Sequence, residues 1–188
     1  MIHLTITRHG QTEENVKRIL QGQMPGHLTD EGIRQAEQLR ELLRHQHFDR
    51  IITSDLKRAV DTARIIAEPH QCPIEEDSLL RERDFGIHTG GPYIKISHAL
   101  DPSAETIDHV ALRARQFLIK VNALAHSRPL SILVVSHGLF LRVLQSVFFN
   151  IPTHDVPKME NAEIRLLTLE PHMRFNTGLL EETGGSAN

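Results

Sequence analysis

The sequence predicts an α/β fold, three-layer α/β/α, with a mostly parallel central sheet and helices on both faces. Strand and helix signals alternate along the chain, the pattern of consecutive crossover units. The run Ser131-Ile132-Leu133-Val134-Val135-Ser136 is continuously apolar, as in a strand covered on both sides. Between strands, apolar residues recur at helical spacing, most regularly from Ile107 to Ala125.

Taken in order, Ile2 to Thr7 read as a strand, with Ile2, Leu4 and Ile6 on one side and His3, Thr5 and Thr7 on the other. Thr29 is a good N-cap, Asp30 and Glu31 suit a first turn, and Ile33, Ala36, Leu39, Leu42 and Leu43 form an apolar stripe to about His47. Asp49 to Thr53 is a short apolar strand. Ser54 is expected to cap a second helix, which buries Ala59, Val60, Ala63, Ile66 and Ala67 and ends near Pro69. Pro73 to Leu80 holds a further short strand. From Gly86 to Ala104 the pattern is lost among Gly90, Gly91, Pro92 and Pro102, which reads as an irregular excursion.

Ile107, Val110, Ala111, Ala114, Phe117, Leu118, Val121, Leu124 and Ala125 then mark a long helix. Leu139 to Phe149 read as the next helix and Glu163 to Leu169 as a last strand, whose edge admits a homodimer. The tail from about residue 171, ending Gly184-Gly185-Ser186-Ala187-Asn188, is expected to be frayed. No repeat or linker divides residues 1–188, so one domain is expected.

Composition agrees. A chain of 188 residues can bury a sizeable core. Hydrophobic content of 39% and charged content of 24% are ordinary for a soluble globular protein. A net charge of −3 argues against a general nucleic-acid or membrane surface, which would want a basic excess. One cysteine, Cys72, cannot form an intramolecular disulfide and fits a reducing compartment. No apolar run reaches transmembrane length and no cleavable signal precedes the first strand, so cytoplasmic is the default expectation. Thirteen histidines invite a metal reading, but no His-Glu-x-x-His or cysteine ligand set supports one. No glycine-rich nucleotide loop is present, which disfavours an ATP-dependent kinase.

The chemistry-bearing segments sit where strands end. Arg8-His9-Gly10 follows the first strand, and the carboxyl ends of strands are where open α/β sheets bind ligands. An Arg offers a planar fork of donors to a phosphate, and a neutral His offers a nucleophile or a proton carrier. A phosphate-handling site is the first hypothesis. Ser136-His137-Gly138 repeats the His-Gly pair after the apolar strand, so neighbouring strands would aim both imidazoles into one crevice. Arg58 lies on the first turn of a helix, near the positive end of its dipole, unless it pairs with Asp55 or Asp61 on a solvated face. Glu82 and Asp84 place carboxylates just before the irregular excursion, within a charge run that includes Arg81 and Arg83.

In this order and on these elements, the four segments resemble the histidine phosphatase superfamily, which includes the cofactor-dependent phosphoglycerate mutases. The resemblance runs from about Ile2 to about Leu169. It implies that His9 takes the phosphoryl group as a phosphohistidine, while Arg8, Arg58 and His137 hold the transferring oxygens. It implies that Glu82 protonates the leaving oxygen and then activates water, with Asp84 as the alternative carboxylate. Asn15 matches a position that often contacts phosphate, and Gln11 and Thr12 share its loop as candidates for substrate contact. The partner implied is a small phosphorylated metabolite, with no cofactor and no metal.

The chemistry gives these roles independent sense. Phosphoryl transfer needs positioning and positive charge around three equatorial oxygens, which two arginines and a His supply. The same charge should keep His9 neutral, and the ring nitrogen turned away from phosphorus should donate to a backbone carbonyl.

Within the family, mutases carry longer segments that retain a bisphosphate and exclude water. Here about twenty residues separate Gly86 from the long helix, so a metal-independent phosphomonoesterase is expected. The alternatives are a mutase with a bisphosphate cofactor and a non-catalytic domain that binds a phosphorylated ligand. The excursion departs from the family pattern. The chain has no Trp, and Ser103-Ala104-Glu105-Thr106 stands where many relatives carry Gly-Glu-Ser. Tyr93, Ile94, Lys95 and His98 are candidates to line the pocket.

Overall fold

Alternating apolar side chains build a five-stranded sheet in the computed structural model, which describes residues 1–93, 101–124, 128–171 and 173–175. The strands are β1 (Ile2–Arg8), β2 (Arg50–Thr53), β3 (Ile74–Glu76), β4 (Leu130–Ser136) and β5 (Ile164–Leu169). Their spatial order is β3-β2-β4-β1-β5, with β5 alone antiparallel to its neighbour. The helices are α1 (Glu13–Val16), α2 (Asp30–Leu43), α3 (Lys57–Ala67), α4 (Ile107–Asn122) and α5 (Gly138–Phe149).

The alternation of β4 explains the layers. Leu130, Ile132 and Val134 join Ile2, Leu4 and Ile6 of β1 in a core closed by Val110, Phe117 and Val121 of α4 and by Phe140 and Leu144 of α5. Leu133 and Val135 face the other way, onto Leu39 and Leu43 of α2 and Ala59, Ala63 and Ile66 of α3. So α2 and α3 cover one face, α4 and α5 the other. The chain leaves β1 toward β2 on one side and leaves β4 toward β5 on the other. That reversal opens a crevice at the carboxyl ends of the adjacent, parallel β1 and β4.

Most element limits agree with the sequence-based expectations, and the differences have physical causes. Thr29 caps α2 through the Gly32 N–H, but α2 stops at Leu43 rather than near His47, and the buried Phe48 turns the chain into β2. Ser54 does not cap α3. Leu56 holds that position without a side-chain bond, and the Ser54 oxygen, two residues earlier, instead meets the Leu56 N–H and His137. The strand sought in Pro73 to Leu80 is Ile74–Glu76 followed by a 3₁₀ turn at Ser78–Leu80. The excursion contains one more such turn, Gly86–His88. The expected Ala125, Ile94, Lys95 and His98 and the far tail lie outside the described residues. Among those described, no helix is long and apolar enough to cross a membrane.

Candidate active site

β1 and β4 run in register, with Arg8 opposite Ser136, and the His9 N–H donates to Ser136 O at 3.0 Å. The two His-Gly pairs are therefore neighbours, and the His9 and His137 rings meet edge to face at 5.2 Å. His9 is 2% exposed. Its Nδ1 lies 2.7 Å from Gly10 O, and a carbonyl can only accept, so Nδ1 carries the hydrogen. Nε2 is left with its lone pair and accepts from Arg58 Nε at 3.2 Å. Burial, then the charges of Arg58 and Arg8, push the His9 imidazole well below its ordinary pKa, outweighing the Gly10 bond. The ring is neutral and of fixed tautomer, with the Nε2 lone pair as its unprotonated side.

The Gly10 carbonyl is itself fixed by close packing. A Cβ on Gly10 would stand 2.4 Å from Gly32 O, and one on Gly32 would stand 2.0 Å from Gln11 O. The first turn of α2 therefore lies backbone to backbone against the loop that carries His9.

Arg58, on the first turn of α3, is 1% exposed rather than on a solvated face. Its guanidinium donates to Met24 O at 2.5 Å and Gly22 O at 2.8 Å, which aims Nε at His9. Burial pushes its pKa down to about 10, against the pull of Glu82, so it stays cationic at neutral pH. Asp61 pairs instead with Lys57, and Asp55 with Arg81. Arg8 donates from Nη1 to Met159 O at 2.9 Å, while its Nε is buried with no partner among the described residues. Gly138 lets it lie there, since a Cβ at that position would be 3.2 Å from Arg8 Nε.

His137 is fully buried, and its Nε2 meets Ser54 Oγ at 2.8 Å. Ser54 Oγ already accepts the Leu56 N–H at 3.3 Å, so its own hydrogen is free for Nε2, and Nδ1 can then be a donor. That Nδ1 is buried without a partner among the described residues. Burial first, then Arg58, lowers the His137 pKa well below the ordinary value.

Glu82 comes from the opposite side and accepts from the first turn of α5. Leu139 N–H reaches Oε2 at 3.1 Å, and Phe140 N–H reaches Oε1 at 3.0 Å. Asp84 turns away and accepts from Gly86 N–H. Arg8, His9, Asn15, Arg58 and Glu82 all line one cavity of about 280 Å³, with Tyr93 on its outer wall. His137 stands behind His9 and is not part of that lining.

Asn15 closes a capping box with Thr12 on α1, and its Oδ1 also accepts from Asn161 Nδ2 at 3.2 Å. Both bonds fall on Oδ1, which turns the amide's other end to the cavity. Gln11 and Thr12 are not on the wall. Thr12 is fully buried and spends its hydroxyl on the Asn15 N–H, and the Gln11 side chain accepts from Thr29.

Sequence reasoning missed Asn161, Met159, Arg142 and Lys158. Asn161 also donates to His9 O at 3.0 Å, and the Ala162 N–H bonds Arg8 O at 3.0 Å. Ala162 has φ +58°, a left-handed conformation that a non-glycine residue keeps only when its surroundings impose it. The signal was the direction of β5. An antiparallel edge strand starts where β1 ends, so the residues just before Ile164 had to reach the crevice. Among the described residues, no three His, Cys, Asp or Glu side chains gather as a metal cluster.

The profile of the histidine phosphatase superfamily (branch 1) matches residues 4–177. The probable phosphoglycerate mutase GpmB of Proteus mirabilis is 31% identical, over 100% of this chain and 94% of its own length. Three solved structures are close in shape. YhfR of Bacillus stearothermophilus has a TM-score of 0.83 at 26% identity, covering 90% of this chain and 92% of that one. The α-ribazole phosphatase of Shigella flexneri has a TM-score of 0.81 at 25% identity, covering 89% and 91%. A mycobacterial glucosyl-3-phosphoglycerate phosphatase in complex with VO3 has a TM-score of 0.79 at 27% identity, covering 88% and 92%.

Proposed function

The chain belongs to the histidine phosphatase superfamily, and from that premise we propose that it is a metal-independent phosphomonoesterase acting on a small phosphorylated metabolite. The observation that carries the reading is the unprotonated His9 Nε2, which accepts from Arg58 Nε at the end of a cavity that Arg8 also lines. The Nε2 lone pair attacks phosphorus, and the P–O bond to the leaving group breaks. The product is a cationic phosphoimidazole whose Nδ1–H stays on Gly10 O. Arg8 and Arg58 meet the charge on the phosphoryl oxygens, and Arg8 Nε gains the partner it lacks. The Asn15 amide donates to the same oxygens, while His137, off the cavity wall, backs the His9 ring edge to face.

The Glu82 carboxyl gives its proton to the departing alkoxide. As carboxylate it then takes a proton from water, which attacks phosphorus and returns neutral His9 with free phosphate. Thr12 acts through Asn15, as the residue that orients its amide. Hydrolysis is favoured over transfer because Tyr93 is 58% exposed and the segment after Gly86 is short, so water reaches the phosphohistidine.

The test is p-nitrophenyl phosphate hydrolysis with excess chelator, comparing wild type with His9→Ala. Activity that survives chelation and disappears in the variant is expected. Activity lost to the chelator sinks the mechanism. A mutase reading has the curated relatives' names behind it. It requires phosphoryl transfer between positions of a sugar acid, dependent on a bisphosphate and faster than hydrolysis.

A further inference from the structure

Glu82 stands on backbone that belongs to neither helix nor strand, since residues 81–85 are irregular. Side chains hold that backbone instead. Ser136 Oγ donates to Leu80 O at 2.7 Å and Gln23 Nε2 to Glu82 O at 3.3 Å. The largest share falls to Arg113 of α4. Its Nη1 donates to Leu79 O at 2.7 Å and to Arg81 O at 2.9 Å. Its Nε and Nη2 grip Glu105 Oε1 and Oε2 at 2.7 and 2.8 Å. Glu105 in turn accepts the Asp84 N–H at 3.2 Å, and its own N–H donates to Asp84 O at 2.9 Å.

The Arg113 guanidinium also lies 5.2 Å from the centre of the Phe140 ring, and the Phe140 N–H is a donor to Glu82 Oε1. One guanidinium thus touches both the backbone from which Glu82 springs and the helix turn that receives its carboxylate.

We propose that the Glu105–Arg113 pair is a positioning device for Glu82, fixing the carboxyl against the leaving oxygen. The inference rests on the acid and base role proposed for Glu82. Both side chains are mostly buried, at 14% and 18% exposure. A buried ion pair gains little stability over an apolar replacement, and what its rigid fork supplies is geometry. Displacing a reacting group by about 1 Å costs on the order of 100-fold in rate.

The experiment compares wild type, Arg113→Lys, Arg113→Met and Glu105→Gln on two esters. p-Nitrophenolate leaves without a proton, whereas the alkoxide of glycerol 2-phosphate needs one. With Arg113→Met, kcat for glycerol 2-phosphate is expected to fall about 10- to 100-fold with little change in KM. The single-turnover burst of nitrophenolate should keep its wild-type rate and an amplitude near one per site. Steady-state release should then slow, because water activation still needs Glu82. Arg113→Lys, which keeps the charge and loses the fork, should fall between wild type and Arg113→Met.

If the burst rate and the glycerol 2-phosphate rate fall by the same factor, the pair is merely structural and the proposal is overturned. It is overturned equally if neither falls. Should Arg113→Met not fold, the near-isosteric Glu105→Gln carries the same comparison, with a decrease of about 3- to 10-fold expected. Where wild-type hydrolysis outpaces phosphorylation and no burst forms, single-turnover nitrophenolate release with enzyme in excess supplies the same rate, and release that persists in His9→Ala counts against the phosphohistidine reading itself.

Discussion

The phosphate end of the cavity and its outer wall draw on different kinds of structure. His9 and Arg58 hang from a strand end and a helix first turn, are almost wholly buried, and have nearly every polar atom bonded. Tyr93 and Lys158 come from irregular backbone and stand in solvent. The first set cannot move without breaking the sheet, and the second can change without disturbing it. On the proposed function, chemistry common to all phosphate esters therefore belongs to the inner end. Discrimination among esters belongs to the wall.

Breaking the inner end should have the largest effect. Arg58→Ala is expected to lower kcat/KM about 100- to 1000-fold for every ester tested, and Arg58→Lys nearly as much, since lysine has no second fork to bond Gly22 and Met24. Steady-state kinetics on three unrelated phosphate esters checks this, and a loss confined to one ester would contradict the division. Glu82→Gln comes next. A loss of about 100-fold is expected for alkyl esters, with the nitrophenolate burst spared.

The inner end should also respond to acid in a way the wall does not. His9 and His137 are buried with pKa values far below that of the unfolded chain. Above about pH 6.5 neither state binds the proton, and stability is at its full value. Below it the unfolded chain takes up protons that the native site refuses. Each histidine then removes about 1.4 kcal/mol of stability per pH unit, until its native pKa is reached. Urea titrations at pH 7 and pH 5 measure the slope, and His137→Gln should flatten it. Over the same interval the nitrophenolate burst, which needs no proton from Glu82, should keep its rate, because the His9 pKa lies well below its ordinary value. The smallest effects belong to the wall, where Tyr93→Ala and Lys158→Gln should shift KM by less than about 10-fold, differently for each ester.

How far the sequence foretold these two regions follows the same line. His9-Gly10 and His137-Gly138 were legible because each follows a strand whose apolar pattern is local and strong. Ser54 misled because a serine before a helix ordinarily caps it, and nothing nearby in sequence announces that His137 takes its hydroxyl. Gln11 and Thr12 were grouped with Asn15 by proximity, yet only Asn15 turns toward the cavity. Lys158 and Asn161 could be placed only once β5 was known to run antiparallel to β1, while Arg142 sits one turn into α5. Glu105 was read as a departure on the substrate side, and the bonds that tie it to Arg113 and Asp84 appear only in three dimensions.

The contact between Gly10 and Gly32 reaches further than packing. Gly32 is not on the cavity wall, and by position it looks like an ordinary residue on the first turn of a surface helix. Yet a methyl group there collides with Gln11 O, and relief requires the loop behind His9 to shift. The Gly10 carbonyl that selects the His9 tautomer moves with that loop. A change at Gly32 is therefore expected to loosen the bond that keeps the hydrogen on His9 Nδ1, with every side chain of the cavity still in the sequence.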